Sequence, residues 1–129
     1  MSAETIHWHT ETDFIVVGSG AGGMTGAVVA AASGLEVLLL EKTDQFGGTT
    51  ALSGGVAWIP NNPSMKRGGI DDSEADALAY LKNVVGPNVP ESKLISYIRR
   101  GPEMLAFMEQ HGDLPFEAAL QYSDYYPDA

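Results

Sequence analysis

The sequence predicts an α/β fold built on a parallel βαβ unit and followed by short helices, on three observations. Two aliphatic runs, FIVV at 14–17 and VLLL at 37–40, are typical of buried parallel strands. A glycine-rich turn beginning at Gly18 follows the first run, and the charged Glu41 ends the second. The residues between the runs are numerous enough for the helical crossover that parallel strands require.

The crossover helix is predicted over residues 24–33, where repeated Gly and Ala let a helix lie close to a sheet, and Gly34 stands where helices end. Residues 43–72 are rich in Gly, Thr, Ser, Asn and Pro and predict a long loop, which in a compact domain is usually functional. Ser73, with Asp76 three residues on, predicts the capped start of a helix that Gly-Pro then stops.

Two further short helices are predicted over 90–100 and 102–111, separated because Pro102 disfavours a continuous helix. A third strong strand pattern does not follow, although a doubly wound domain needs more than two strands. We therefore expect residues 1–12 to be an extension and 13–129 to be the amino-terminal part of an incomplete domain. The remainder of that domain and a substrate domain would then lie outside this chain.

Composition narrows the classes of function. The net charge is −10 with seven Lys and Arg residues, so nucleic acid is not expected as a partner, because phosphate binding needs clustered basic residues. The absence of cysteine excludes disulfides and thiol catalysis. Residues 1–12 do not resemble a secretory signal, and no apolar run reaches the roughly 20 residues of a transmembrane span. We expect a cytoplasmic protein without a transmembrane segment.

The segment 18–23 fits the pattern GxGxxG between a strand and a helix. Gly18 permits the tight turn, Gly20 lets the backbone approach a pyrophosphate, and Gly23 lets the helix pack closely on the strand. The N–H groups at the helix start favour phosphate. Glu41 lies where a carboxylate accepts hydrogen bonds from ribose hydroxyls, so the combination predicts a dinucleotide site. The alternative is a glycine-rich turn that binds no ligand.

Residues 47–55 (GGTTALSGG) favour FAD over NAD as the dinucleotide. Their glycines and hydroxyls can bring N–H and O–H donors to the second phosphate, the ribityl chain and the flavin of a long cofactor. A simple NAD-binding unit has no need of such a segment. The alternative interpretation is a flexible surface loop with turn glycines.

These motifs resemble a known family. The run VVGSGAGGMTGAVVAAASGLEVLLLEK, with GGTTALSGG after it, resembles the FAD-binding domain of the fumarate reductase and succinate dehydrogenase flavoproteins. The pieces SGGVAWIPNNP and YSDYYP resemble the 3-ketosteroid Δ1-dehydrogenases. The resemblance extends from Asp13 to the end of the chain. It implies a Rossmann-like FAD-binding domain of an FAD-dependent dehydrogenase that acts on CH–CH groups.

The resemblance also implies which residues bind FAD. The pyrophosphate would be held by Gly18, Ser19, Gly20, Ala21, Gly22 and Gly23. The adenosine ribose would be bound by Glu41, with Lys42 beside it. The phosphate, ribityl and flavin region would be lined by Gly48, Thr49, Thr50, Ser53, Gly54 and Gly55. No metal is implied.

In the steroid dehydrogenases a tyrosine base takes the C2 proton while hydride leaves C1 for flavin N5, and a second tyrosine supports that base. The matching position here is Tyr126, because it is the second tyrosine of the DYYP element. A phenol with a pKa of about 10 needs such support to accept a proton near neutrality. The base itself would lie outside this chain, so the 129 residues alone are expected to be inactive.

The resemblance implies two small-molecule partners, a hydrophobic steroid-like ketone and an external electron acceptor. Three alternatives stay open at the level of the sequence. One is a relative with a different substrate, such as a fumarate-type acid or another enone. Another is a simple NAD-dependent dehydrogenase, and the third is a truncated cofactor-binding fragment without catalysis.

Other aromatic side chains have simpler interpretations. Without the resemblance the terminal tyrosines would be half-buried packing residues, and Tyr122 and Tyr125 keep that interpretation. Trp58 is interpreted as a core residue, although it could border a substrate cavity. His7 and His9 are interpreted as solvent-facing strand residues, since no third metal ligand is evident.

Overall fold

The computed structural model describes residues 7–122 and 125–126 of the chain. These residues belong to two compact units, unit 1 (Met1–Gly55) and unit 2 (Val56–Ala129). The described elements of unit 1 are β1 (Phe14–Val17), α1 (Ala21–Ala32), β2 (Val37–Leu40) and α2 (Gly48–Ala51). Those of unit 2 are α3 (Pro63–Arg67), α4 (Glu74–Val85) and α5 (Glu91–His111).

Unit 1 is built on the predicted βαβ unit. Strands β1 and β2 pair in parallel, with Phe14 opposite Val37 and Val17 opposite Leu40. Helix α1 packs against both strands. Both predicted strands are confirmed in position, and the helix begins at Ala21 rather than at residue 24. It ends at Ala32, and Gly34 has a positive φ of 85°, as a helix-terminating glycine does.

The prediction that both strands are buried is wrong for this chain. Val16 is buried, but Val17 is 83% exposed and Ile15 is 56% exposed. The reason is geometric, because α1 covers only part of a sheet that has two strands among the described residues. An aliphatic run therefore identified the strands correctly but not their exposure.

Unit 2 has a helical core. Helices α4 and α5 pack together through the side chains of Ala77, Leu81, Leu94 and Ile98. The predicted start of α4 is confirmed, since the Ser73 hydroxyl accepts a hydrogen bond from the Asp76 N–H at 3.1 Å. Such a cap satisfies one of the free N–H groups of the first turn.

The prediction of two helices over 90–111 is wrong, because α5 is one helix with Pro102 inside it. Proline removes one backbone hydrogen bond and usually breaks a helix. Here the buried side of α5 runs through the proline without interruption, and packing along that side outweighs the lost bond. The buried residues of α5 are Leu94, Ile98, Gly101, Leu105 and Met108.

The segment 43–72 is not all loop, since it contains α2 and α3. Helix α3 starts at Pro63, which suits the first helical position, and Asn62 caps it by accepting from the Met65 N–H at 3.0 Å. His7 and His9 are exposed but lie outside any strand. In the part of the chain that the structure describes, no helix is both long enough and apolar enough to cross a membrane.

Candidate functional site

The glycine turn between β1 and α1 has the backbone that the sequence predicted. Gly18 has a φ of 97°, a conformation that residues with a side chain rarely adopt. Its N–H donates to the Leu40 carbonyl at 2.7 Å, which ties the turn to β2. At Gly23 an added Cβ would lie 2.1 Å from the Gly18 carbonyl oxygen and 3.2 Å from Val16 Cγ1. The close packing of helix on strand predicted at Gly23 is therefore confirmed.

The other glycines of the turn present open backbone. An added Cβ at Gly20 or at Gly22 would meet nothing within 4 Å among the described residues. Gly20 is also the N-cap residue of α1 and has no side chain to cover the first turn. An anion can therefore approach this backbone and the N-terminal dipole of the helix, which fits the diphosphate of a dinucleotide.

Ser19 points the other way, into the unit, and is only 1% exposed. Its hydroxyl donates to Glu41 Oε2 at 2.5 Å and accepts from the Gly47 N–H at 2.9 Å. Its own N–H donates to the same carboxylate oxygen at 3.0 Å. The side chain of Ser19 is thus occupied by Glu41 and Gly47 rather than presented to a ligand.

Glu41 accepts four hydrogen bonds, two from Ser19 and one each from the Lys42 and Thr43 N–H groups. The bonds from Ser19 reach Oε2, and those from Lys42 and Thr43 reach Oε1. Because the donors favour the charged form, above all the Ser19 hydroxyl, they lower the pKa of Glu41 to about 2. The acid at the end of β2 is therefore held as a carboxylate in a fixed orientation.

The turn at Gly47 and Gly48 lies against the glycine turn. Gly47 and Gly48 have positive φ values of 104° and 54°, and a Cβ on Gly48 would lie 3.5 Å from Gly20 Cα. The hydroxyl of Thr50, in α2, accepts from the Ala21 N–H at 3.2 Å. Two segments far apart in sequence therefore form one surface of unit 1.

The remaining predicted cofactor residues lie at the edges of this surface or beyond it. Lys42 and Thr49 are exposed. The Ser53 hydroxyl donates to the Thr50 carbonyl at 2.7 Å and accepts from the Gly55 N–H at 3.1 Å, so it orders its own segment. An added Cβ at Gly54 would meet open space among the described residues.

The tyrosines of the chain and Trp58 lie in unit 2. Tyr126 is described and is 60% exposed, whereas its neighbours in the DYYP element, Asp124 and Pro127, fall outside the described residues. The half-buried packing predicted for Tyr122 and Tyr125 is not seen, since both are exposed. A hydrogen bond with Tyr125 raises the pKa of Tyr122.

Trp58 is 42% exposed, so its interpretation as a core residue is wrong. Its ring stacks on Tyr97 at 6.2 Å and lies 5.2 Å from the ring of Tyr80. The Tyr97 hydroxyl also donates to the Trp58 carbonyl. The three rings form a partly exposed aromatic cluster rather than a buried centre.

One residue of the site, Thr43, was missed by sequence reasoning, and Gly47 was predicted only as part of the segment 47–55. Gly47 supplies the N–H that reaches Ser19, and the Thr43 N–H donates to Glu41. The side chain of Thr43 gave no signal for this contact, because the donor is its backbone N–H and its hydroxyl donates to the Gln45 carbonyl at 2.7 Å.

Comparisons with known proteins agree with this geometry. The family described as FAD binding domain matches residues 13–124. The chain belongs to that family. The family match confirms the Rossmann-like α/β class and the choice of FAD over NAD.

Among curated relatives, the 3-oxosteroid 1-dehydrogenase of Mycolicibacterium smegmatis is 48% identical over 92% of this chain and 21% of its own length. A solved 3-ketosteroid Δ1-dehydrogenase from Sterolibacterium denitrificans is 46% identical, with a TM-score of 0.67 over 77% of this chain and 17% of that one. A 3-ketosteroid-Δ4-(5α)-dehydrogenase from Rhodococcus jostii is 33% identical, with a TM-score of 0.72 over 86% of this chain and 23% of that one. This chain therefore spans about a fifth of the length of the relatives it matches.

Proposed function

We propose that unit 1 binds the adenosine diphosphate part of FAD for a dehydrogenase that introduces a 1,2 double bond into 3-oxosteroids. One observation carries the proposal: the backbone at Gly20 and Gly22 is open, Gly20 lies beside Gly48, and the same unit holds an anionic, oriented Glu41. The 48% identity to a 3-oxosteroid 1-dehydrogenase over 92% of the chain supports the choice of reaction.

Different residues of unit 1 would bind different parts of FAD. Backbone N–H groups at the start of α1 would bind the diphosphate, and Gly20 and Gly48 would let it approach closely. Glu41 would accept from the ribose hydroxyls, although its contacts with Ser19 and Thr43 already use much of its acceptor capacity. FAD, when bound, accepts the hydride that leaves the substrate.

The segment after α2 would line the rest of the cofactor. Ser53 orders this segment through its bonds to Thr50 and Gly55, and Gly55 adopts a positive φ of 68°. Together with the open position at Gly54, this leaves backbone available to a ribityl chain or a flavin edge. Lys42 and Thr49 would contribute from the exposed rim.

Tyr126 would support a tyrosine base by hydrogen bonding and so help it take the C2 proton. No residue of this chain is proposed as that base. The reaction is therefore proposed for the whole protein. The steroid ketone and an external electron acceptor would be its small-molecule partners, and the cytoplasm its location.

A second candidate differs in the position of the new double bond. It is favoured by the match to a 3-ketosteroid-Δ4-(5α)-dehydrogenase at a TM-score of 0.72. A 3-oxosteroid saturated in ring A distinguishes the two, because the product carries the double bond between C1 and C2 in one case and between C4 and C5 in the other.

The experiment is to purify the natural protein, identify its cofactor and supply the saturated 3-oxosteroid with an artificial electron acceptor. We expect bound FAD and a product with a 1,2 double bond. Protein that is folded but does not bind added FAD would refute the cofactor site. Bound FAD with a 4,5 double bond, or with no steroid turnover, would refute the assigned reaction while leaving the cofactor site intact.

A further inference from the structure

We propose that Ser19 is a positioning residue that couples Glu41 to the turn at Gly47 and Gly48, so that the two sides of the FAD site are held in register. The inference rests on the proposed function, because it concerns how unit 1 prepares itself for the cofactor. It assigns Ser19 a different role from direct contact with the pyrophosphate.

The hydrogen-bonding capacity of Ser19 accounts for the coupling. A serine hydroxyl has one proton to donate, and here that proton goes to Glu41 Oε2 at 2.5 Å. The Ser19 Oγ in turn accepts a hydrogen bond from the Gly47 N–H at 2.9 Å. With a side chain only 1% exposed, water cannot readily replace either partner.

Each partner of Ser19 belongs to a different part of the site. Glu41 follows β2 and orients its other oxygen toward the Lys42 and Thr43 N–H groups, at 2.8 and 3.1 Å. Gly47 precedes Gly48, whose backbone lies beside Gly20. Loss of the Ser19 hydroxyl would therefore release both Glu41 and the turn at Gly47 and Gly48.

A second contact holds the far end of the same turn. The Ala21 N–H donates to the Thr50 hydroxyl at 3.2 Å, an exposed bond that is longer than those of Ser19. Water can replace an exposed hydrogen bond, so the Ala21–Thr50 bond constrains the turn less than the buried bonds of Ser19 do. Ser19 is accordingly the main link between the glycine turn and residues 47–50.

The test is the affinity for FAD of the natural protein after its flavin has been removed, measured by quenching of flavin fluorescence. We expect Ser19→Ala to raise the Kd by about tenfold, since bonds to a charged group that orient a binding residue are worth about that much. The matched control is Ser33→Ala. Ser33 donates to the Val29 carbonyl at 2.8 Å at the opposite end of α1, so its loss should leave the Kd unchanged.

A double-mutant cycle with Glu41→Gln separates positioning from general destabilisation. If Ser19 acts through Glu41, the loss caused by Ser19→Ala should be smaller in the Glu41→Gln background. An equal loss in both backgrounds, or a Ser19→Ala protein with the wild-type Kd, would overturn the inference.

Ser19→Cys is the second variant, for use if Ser19→Ala does not fold. Its thiol is a weak donor of similar size, and we expect a Kd raised by about threefold or more. A wild-type Kd for this variant would overturn the inference as well. Wild-type protein that binds no FAD would instead refute the proposed function, so the two failures are distinguishable.

Discussion

At the scale of single residues, the carboxylate of Glu41 is the best-defined group of the site. Its four hydrogen bonds come from Ser19 in the glycine turn and from the two residues that follow β2, and they keep it charged. The sequence predicted this acid from its place after β2, because strand ends and glycine turns leave a clear pattern. It did not predict that Ser19 is turned inward, since the direction of a side chain depends on partners distant in sequence.

The pKa of Glu41 gives a prediction about stability against pH. A folded-state pKa of about 2, against an ordinary 4.5, stabilises the protein fully above pH 4.5, and the effect is lost as the pH falls toward 2. We expect the difference in unfolding free energy between wild type and Glu41→Gln to shrink over that range. Denaturant unfolding at several pH values measures it, and a difference that stays constant would contradict the assigned pKa.

Gly23 and Gly26 form a matched pair on α1. An added Cβ at Gly23 would overlap the Gly18 carbonyl oxygen, whereas at Gly26 it would meet nothing within 4 Å among the described residues. We expect Gly23→Ala to destabilise the protein by about 1–3 kcal/mol. Gly26→Ala should be neutral or stabilising by up to about 1 kcal/mol, because alanine favours helices. Thermal unfolding tests this, and equal effects would contradict the packing described.

Tyr126 gives a prediction about catalysis. If it supports the base, Tyr126→Phe should lower kcat on a 3-oxosteroid by about tenfold or more, because help with proton transfer is lost. Tyr122→Phe is the control, since Tyr122 bonds to its neighbour Tyr125 and has no proposed catalytic part. Steady-state kinetics on both variants tests this prediction. A wild-type kcat for Tyr126→Phe would show that Tyr126 has no catalytic role.

At the scale of elements, α5 shows where sequence rules reach their limit. Pro102 predicted a break, and the local rule would hold for an isolated peptide. In the folded chain the helix continues, because its buried face extends past the proline. Leu94 and Ile98, before the proline, share a core with α4, and Leu105 and Met108, after it, are buried as well. The start of α4 was predicted correctly, because its cap joins Ser73 and Asp76, only three residues apart, and does not depend on distant parts of the chain.

The packing of α5 can be tested where Gly101 approaches Ile59. An added Cβ at Gly101 would lie 2.9 Å from Ile59 Cγ2, so Gly101→Ala should destabilise the protein by about 1–3 kcal/mol. Ile59→Ala removes the obstructing atoms. In that background Gly101→Ala should therefore cost much less in unfolding free energy. Equal costs in both backgrounds, measured by denaturant unfolding, would contradict the contact.

At the scale of the whole molecule, two units carry different shares of the proposed activity. Unit 1 holds the proposed FAD site, and its class, its strands and its glycine turn were all predictable from sequence. The exposure of β1 and β2 was not, because burial depends on how much of the sheet the chain covers. In unit 2 the proposed catalytic residue, Tyr126, is identified by resemblance rather than by contacts.

The most direct measurement mixes the natural protein with 4-androstene-3,17-dione in the absence of oxygen and other electron acceptors. This substrate already has the 4,5 double bond, so of the two candidate reactions only 1,2-dehydrogenation can reduce the flavin. We predict loss of the oxidised flavin absorption with formation of 1,4-androstadiene-3,17-dione. A flavin that stays oxidised, in protein shown to bind FAD and the steroid, would contradict the proposed function.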